Sequence, residues 1–382
     1  MLLIKNGHIK PITAPEIEKG CILIGDDGKI AKIGKKIAAP KSATVIDAEG
    51  RLVTPGCVEA HCHIGLDGIA TREKDYNENL NPIAPNVQAL DGIDPTEEGL
   101  HNAIAGGVTC GCVTPGSSNI LGGYACAIKF HGIRVDNMVV KNPAAMKGAM
   151  GENPKRRHGA TNKKPPVTRM GIAAMLREEL QKTINYRDAK AAGKNPSYDA
   201  KLEAMIPVVN GALPLKMHAH RADDLFTAIR IAKEFNLKLT LDHCTDGALI
   251  AEELASEGFP VIVGPSWGPK SKQELDNKSF ATAGILHNAG CKVCITTDAP
   301  VMPIDKLPMA AGLCATAGMP MEAAWKAITI TPAEVLGIED RVGSLEVGKD
   351  GDLVIWTADP LTTIGGKAHM TIIEGKVVYS AE

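Results

Sequence analysis

A chain of 382 residues, set against about 150 per domain, leads one to expect two structural units. Its 44% hydrophobic and 23% charged residues are ordinary globular usage, and 42 Lys+Arg against 44 Asp+Glu leave a formal charge of -2, which advertises neither nucleic acid nor anionic membrane as a partner. Aromatics at 3% argue against base-stacking platforms and aromatic-anchored interfaces, so any binding signal must be local, which leaves a small-molecule substrate and self-association into a homo-oligomer open as partners.

In chain order, the first 50 residues alternate short apolar runs with turns (LLIKNGHI, CILIGDDGKIAKIG, TVIDAEGRLVTPG) and read as hairpin strands, with Asp27-Gly28 a two-residue turn. From Val58 onward, strand-like runs (VTCGCVT, LKLTLDH, FPVIVGP, CKVCITTDA) alternate with helical patterns, the signature of βα units around a parallel sheet. One of those helices is expected over 246–257, capped by Asp246 and ended by Gly258. Residues 151–200 break the rhythm with 11 Lys+Arg against 5 Asp+Glu, a Pro/Lys/Arg-rich loop followed by a long polar helix. The last 40 residues return to strands. Neither end has enough of them to close a sheet, so both ends are expected to meet.

The resulting fold class is α/β: a (β/α)8 TIM-like barrel over 55–342, carrying 151–200 as a basic insert in its fourth βα connection, and a small β-sandwich domain built from 1–54 together with 343–382. The N-terminus has no charged segment leading into a long apolar one, and no stretch approaches the roughly 18–20 apolar residues of a membrane helix. A cytoplasmic, reducing location follows as the expectation, with the 10 Cys serving as small buried thiols; Cys291 and Cys294 form a C-x-x-C that precedes a strand instead of opening a helix.

The sharpest local feature is Pro55-Gly56-Cys57-Val58-Glu59-Ala60-His61-Cys62-His63. Alternate strand residues point the same way, so His61 and His63 can offer two imidazoles to one ion. A second pair, His218 and His220, closes the run ALPLKMHAH; His243 ends LKLTLDH and Asp298 ends VCITTD. In a parallel barrel the C-terminal strand ends converge on one mouth, which is where these groups would meet.

This constellation resembles the metal-dependent amidohydrolase superfamily, and within it the imidazolonepropionase-like branch, which includes Xaa-Pro and Xaa-Arg dipeptidase-type enzymes. The resemblance runs from PGxxExHxH to the closing VGSLEVGKDGDLVIW. It implies that His61, His63 and Asp298 bind a first metal. It also implies that His218 and His243 complete a second site, or else divide into a ligand and a substrate-polarising histidine. A bridging lysine carbamate on the fourth strand would be Lys147, with Glu152 its rival. The implied cofactor is a divalent ion, Zn2+ foremost with Mn2+ or Fe2+ as alternatives, in one or two copies. The implied activity is hydrolysis of a C–N bond outside ordinary peptide bonds, in an amide, cyclic amide or dipeptide-like substrate, with Asp298 moving the proton and His243 or a second ion stabilising the oxyanion. Candidate substrate contacts are Asn119 in the Gly-rich loop 114–123, His220 and Arg221 after the fifth strand, Trp267 after the seventh, and the basic segment 155–169. A deaminase of a small heterocycle on the same scaffold is the alternative, and a non-catalytic barrel fits less well, because a scaffold has no reason to keep four imidazoles around an ion.

Overall fold

Apolar side chains recurring at every second position write the start of the chain as strands, in a computed structural model that describes residues 1–67 and 74–381. These are β1 (Leu2–Ile9), β2 (Ile17–Ile24), β3 (Ile30–Gly34), β4 (Thr44–Asp47) and β5 (Leu52–Pro55). Gly28 sits at φ 75 in the β2–β3 turn, the left-handed backbone that glycine adopts without strain.

Eight barrel strands follow: β6 (Cys57–Cys62), β7 (Val108–Val113), β8 (Leu121–Lys129), β9 (Val139–Ala149), β10 (Leu215–Ala219), β11 (Leu239–His243), β12 (Val261–Val263) and β13 (Val293–Ile295). They hydrogen-bond in sequence order. Side chains bring the two edges together: Thr296 Oγ1 donates to His61 O at 2.7 Å, and Thr297 donates its N–H and its hydroxyl to Glu59 Oε2 at 3.0 and 2.6 Å.

One strand departs from the expected (β/α)8 pattern. β8 runs antiparallel to both β7 and β9, so these three form a meander with no α-helix between them. The reason is length: residues 114–120 and 130–138 are too short for a crossover, which needs roughly a dozen residues, and suffice only for a reversal. From β9 onward the pairs are parallel. Helix Ile330–Leu336 presses Ala333 and Leu336 against small barrel residues, Val58, Cys110, Cys112, Ala125 and Ala127.

The chain then returns through β14 (Leu353–Trp356), β15 (Ala368–Ile373) and β16 (Lys376–Ser380) to the opening strands. β14 pairs antiparallel with β5, giving one eight-stranded sheet from both termini in the order β16-β15-β14-β5-β1-β2-β3, with β4 beside β1. One face of it packs Ile4, Ile22, Ile24, Leu353, Ile355 and Ile372 into a core of its own. Burial at about 25 cal/mol per Å2 of apolar surface holds these layers together.

A buried charge cluster lies where the sheet meets the barrel. Lys129 at the end of β8 pairs with Asp352 and, at 2.9 Å, with Asp350, while Arg341 reaches Asp350 at 2.8 Å. Trp356 Nε1 donates to Thr54 Oγ1 at 2.9 Å beside it in the sheet.

The basic stretch after β9 opens with a short helix, Glu152–Lys155, continues through a wide π-type turn over Arg156–Thr161, and becomes the expected long helix at Arg169–Ala191. Thr168 caps that helix by accepting from Gly171 N at 2.9 Å. The helix expected over 246–257 divides into a 3-10 turn, Gly247–Ile250, and Ala251–Glu257, which Gly258 ends at φ 73. Asp246 leaves its own helix uncapped; its carboxylate accepts instead from Ala222 N at 3.0 Å, the first N–H of helix Ala222–Glu234. All ten cysteines are buried and free. No helix of the described residues is long and apolar enough to cross a membrane.

Candidate active site

The mouth of the barrel collects five histidines, all buried. Ring centroids lie 5.2 Å apart for His61–His63, 5.0 Å for His61–His243, 4.4 Å for His218–His243 and 4.6 Å for His218–His220. His243 therefore stands between two pairs. Strand geometry sets each pair, since residues two apart share a face. His243 and Asp298 leave their strands differently: both have positive φ, 78 and 51, a backbone that a non-glycine residue holds only when its surroundings enforce it.

Hydrogen bonds fix which nitrogen of each ring carries the proton. His61 Nδ1 lies 2.6 Å from Asp242 Oδ2, and His63 Nδ1 lies 2.8 Å from Thr114 O. A carboxylate and a carbonyl only accept, so both rings donate from Nδ1 and are left with a lone pair on Nε2. Those two Nε2 atoms face Asp298 Oδ1 at 3.4 and 3.2 Å, and this oxygen has no hydrogen-bond donor among the described residues. Three acceptors thus converge with no proton between them, the Thr114 hydroxyl lying to one side at 3.4 Å from His61 Nε2. Such an arrangement is electrostatically unfavourable unless a cation completes it, and two imidazoles with one carboxylate suit a borderline divalent ion.

Burial pushes the His61 imidazole down to about 3, outweighing the pull of Asp242 in the other direction. Burial alone would raise the Asp298 carboxyl, and the pull of His243, His63 and His61 that holds it below the usual carboxylate range acts only through rings that carry a proton; with the rings neutral, a cation would supply that pull. Ionised acceptor and neutral rings are the protonation states that a metal requires.

His243 donates from Nδ1 to Gly264 O at 2.7 Å, and its Nε2 has no hydrogen-bond partner among the described residues. Neutral His243 therefore offers a lone pair. The expectation that it stabilises an oxyanion by donation holds only after it has gained a proton, and burial opposes that by pushing its pKa down.

The second pair is held in a similar way. Lys272 Nζ donates to Asn153 Oδ1 at 2.9 Å, which turns the Asn153 amide nitrogen toward His218 Nε2 at 3.3 Å. His218 Nε2 is therefore an acceptor, and its Nδ1 donates to Ser117 Oγ at 2.9 Å. His220 Nδ1 lies 2.7 Å from Thr245 Oγ1. Facing both rings is Glu274, whose Oε1 lies 4.0 Å from His218 Nε2 and 3.8 Å from His220 Nε2.

Lys147, fully buried, donates to Ser117 Oγ at 2.9 Å and has no carboxylate ion pair among the described residues. Burial lowers its pKa to about 8. Glu152 enters the region through its backbone, donating its N–H to Glu274 Oε2 at 3.0 Å.

Above the histidines opens a cavity of about 550 Å3, lined in part by His63, His218, His220 and Asp298. Trp267 stands at its wall, as expected, and is 53% exposed. Arg156, Arg157 and Lys278 also line it, so the basic insert reaches the mouth. Two candidate contacts fall elsewhere. Arg221 flanks the start of helix Ala222–Glu234 and pairs outward with Asp223 at 3.0 Å. Asn119 is buried in the Gly-rich loop, where it donates to Glu78 O at 2.9 Å and meets His158 Nε2 at 3.0 Å, holding one loop to another.

The amidohydrolase family pattern matches residues 179–378, more than half of the chain. The chain belongs to the amidohydrolase family. A solved amidohydrolase from Thermotoga maritima MSB8 is 38% identical with a TM-score of 0.95, covering 100% of both chains. Amidohydrolase tasK of Hapsidospora irregularis is 29% identical over 94% of this chain, which spans 40% of that protein's length. Imidazolonepropionase of Rhizobium rhizogenes is 24% identical over 98% of this chain and 97% of its own, in keeping with the imidazolonepropionase-like branch.

Several residues of this amidohydrolase's mouth carry little sequence signal. Asp242 could have been noticed as a carboxylate beside His243 inside an apolar strand, a position costly unless paired; it binds His61 and lies 3.1 Å from the buried Lys216. Glu274, Lys272, Ser117 and Asn153 sit on loops or at a helix start, where no periodicity marks them.

Proposed function

We propose that the chain is a metal-dependent hydrolase that cleaves a C–N bond of an amide, cyclic amide or dipeptide-like substrate. The observation that carries this reading is the convergence of His61 Nε2, His63 Nε2 and Asp298 Oδ1 without a proton between them. A divalent ion held by these three, Zn2+ first among candidates, would supply Lewis acidity and bring the pKa of a water toward about 7. Asp298, ionised and at the cavity wall, accepts the proton of the attacking water and returns it to the leaving nitrogen. His243 offers its unpartnered Nε2 as a further ligand or as a second proton acceptor. Lys147, buried with no carboxylate ion pair among the described residues and with its pKa lowered to about 8, has the neutral amine fraction needed to add carbon dioxide and form the carbamate implied by the family resemblance.

The cavity favours an anionic substrate. Arg156, Arg157 and Lys278 line it with no ion pair among the described residues, whereas Asp67 is neutralised by Lys74 at 2.7 Å. A carboxylate on the substrate would be held there by charge-assisted hydrogen bonds.

The test is a panel of N-acyl amino acids, cyclic amides and Xaa-Pro dipeptides offered to Zn2+-loaded protein. Hydrolysis that a chelator abolishes and Zn2+ restores is expected, with Asp298→Asn inactive under metal saturation. Equal turnover in Asp298→Asn would refute the proton-transfer role. Ammonia release from heterocycles without ring opening would identify a deaminase instead.

A further inference from the structure

We infer that His218, His220 and Glu274 form a second divalent-cation site, distinct in its ligands from the His218, His243 and Lys147 set that the resemblance implies. The inference rests on the reading of the protein as metal-dependent. One donor atom from each residue lies within 4.8 Å of the others, as it does for His61, His63 and Asp298. His218 Nε2 is an acceptor because the Asn153 amide nitrogen points at it, and that amide is oriented by Lys272 on its oxygen. His220 can take the same tautomer, since Thr245 Oγ1 is able to accept from its Nδ1. Glu274 is 4% exposed and Oε2 is already occupied by Glu152 N–H, which leaves Oε1 aimed at the two rings.

The donor set, two neutral imidazoles and one carboxylate, is the kind that binds zinc with coordination positions left open. Thr245, Ser117 and Glu152 supply the outer hydrogen bonds that hold such ligands in place. Lys272 makes this site weaker than the first. Its ammonium lies 2.6 Å from Glu274 Oε1 and, with the Asn153 amide on His218 Nε2, competes with an incoming cation, whereas no Lys or Arg pairs with the His61, His63 and Asp298 trio among the described residues. The two sites should therefore fill in order, the second at the wall of the cavity that His218 and His220 line.

Titration of the chelator-stripped full chain with Zn2+ by calorimetry, with bound metal counted by elemental analysis, tests this. Two equivalents are expected, the weaker one weakened at least tenfold or lost in both Glu274→Gln and His220→Asn, and the tighter one kept in those variants but weakened in Asp298→Asn. Circular dichroism and Tm of each variant separate ligand loss from misfolding. A weaker equivalent that persists in both variants, or that disappears in Lys147→Ala while surviving in Glu274→Gln, overturns the inference. One equivalent alone, weakened in Asp298→Asn, overturns it and leaves the proposed function standing; no binding at all overturns both.

Discussion

Replacing Lys129 by Met tests how the terminal sheet is fastened to the barrel. Lys129 is 4% exposed and neutralises Asp352 and Asp350 together. After the substitution Asp350 retains Arg341 at 2.8 Å, but Asp352 is left with one donor to its side chain among the described residues, the Glu374 N–H at 2.9 Å. Breaking a buried pair by removing one partner costs about 3–5 kcal/mol. Unfolding entropy of about 2.1 cal/mol/K per residue amounts to about 0.8 kcal/mol/K for a chain of 382 residues, so Tm should fall by about 4–6 °C at pH 7. The deficit depends on pH with a definite sign. Burial already raises the Asp352 pKa, against the opposing pull of Lys129, and losing the lysine raises it further. A carboxyl whose folded pKa lies above its unfolded value binds its proton more readily when folded, so the variant should approach the wild type as pH falls toward the unfolded value and lose ground as pH rises. Lys129→Met/Asp352→Asn should recover most of the loss at pH 7. Thermal unfolding followed by circular dichroism at several pH values reads all three. A Tm within about 1 °C of wild type at pH 7, or a deficit that does not shrink in acid, would refute the reasoning.

Asp242→Asn should weaken binding of the tighter zinc equivalent by about 10–100-fold, the usual cost of losing an outer partner of a ligating histidine, as read by competition with a chelator of known affinity. Arg157→Ala should raise KM for a carboxylate-bearing substrate while leaving the KM of its amide analogue unchanged. Gly107→Ala should lower Tm by several degrees, because a Cβ there would stand 2.4 Å from Trp356 Cη2 on a backbone at φ 75. A thiol reagent should find none of the 10 Cys in the native protein and all of them in denaturant, since burial pushes thiols such as Cys110 and Cys126 up to about 12.

Much of this architecture could be read from residue order, because it is written in periodicity. Alternation at both termini announced strands, and His61, His63, His218, His243 and Asp298 announced themselves by ending apolar runs, although the interval from His63 to His218, which reads as whole βα units, spans the β7–β8–β9 meander. The direction of β8 was not legible, since VTCGCVT and the run from Leu121 look alike whichever way a strand points; only the length of residues 114–120 could have signalled a reversal. Glu274 and Lys272 escaped for another reason. They act from a loop whose position is set by the strands beneath it, so no local pattern gives their distance to His218. Arg221 lies off the cavity wall, since adjacency to His220 along the chain says nothing about which way the next side chain turns when a helix begins.

The pairing of β5 with β14 also governs how the chain must be assembled in time. Translation at about 5–20 residues per second places about 15–60 s between the synthesis of Pro55 and that of its partner Leu353. Meanwhile β1, β2 and β3 can pair among themselves, but β5 presents a row of unmatched amides next to an apolar face. The β7–β8–β9 meander, by contrast, is local in sequence and can form as soon as it emerges. The nascent protein is thus expected to acquire its catalytic half before its terminal sheet, and to be most prone to aggregation through the one edge that only its last thirty residues can cover.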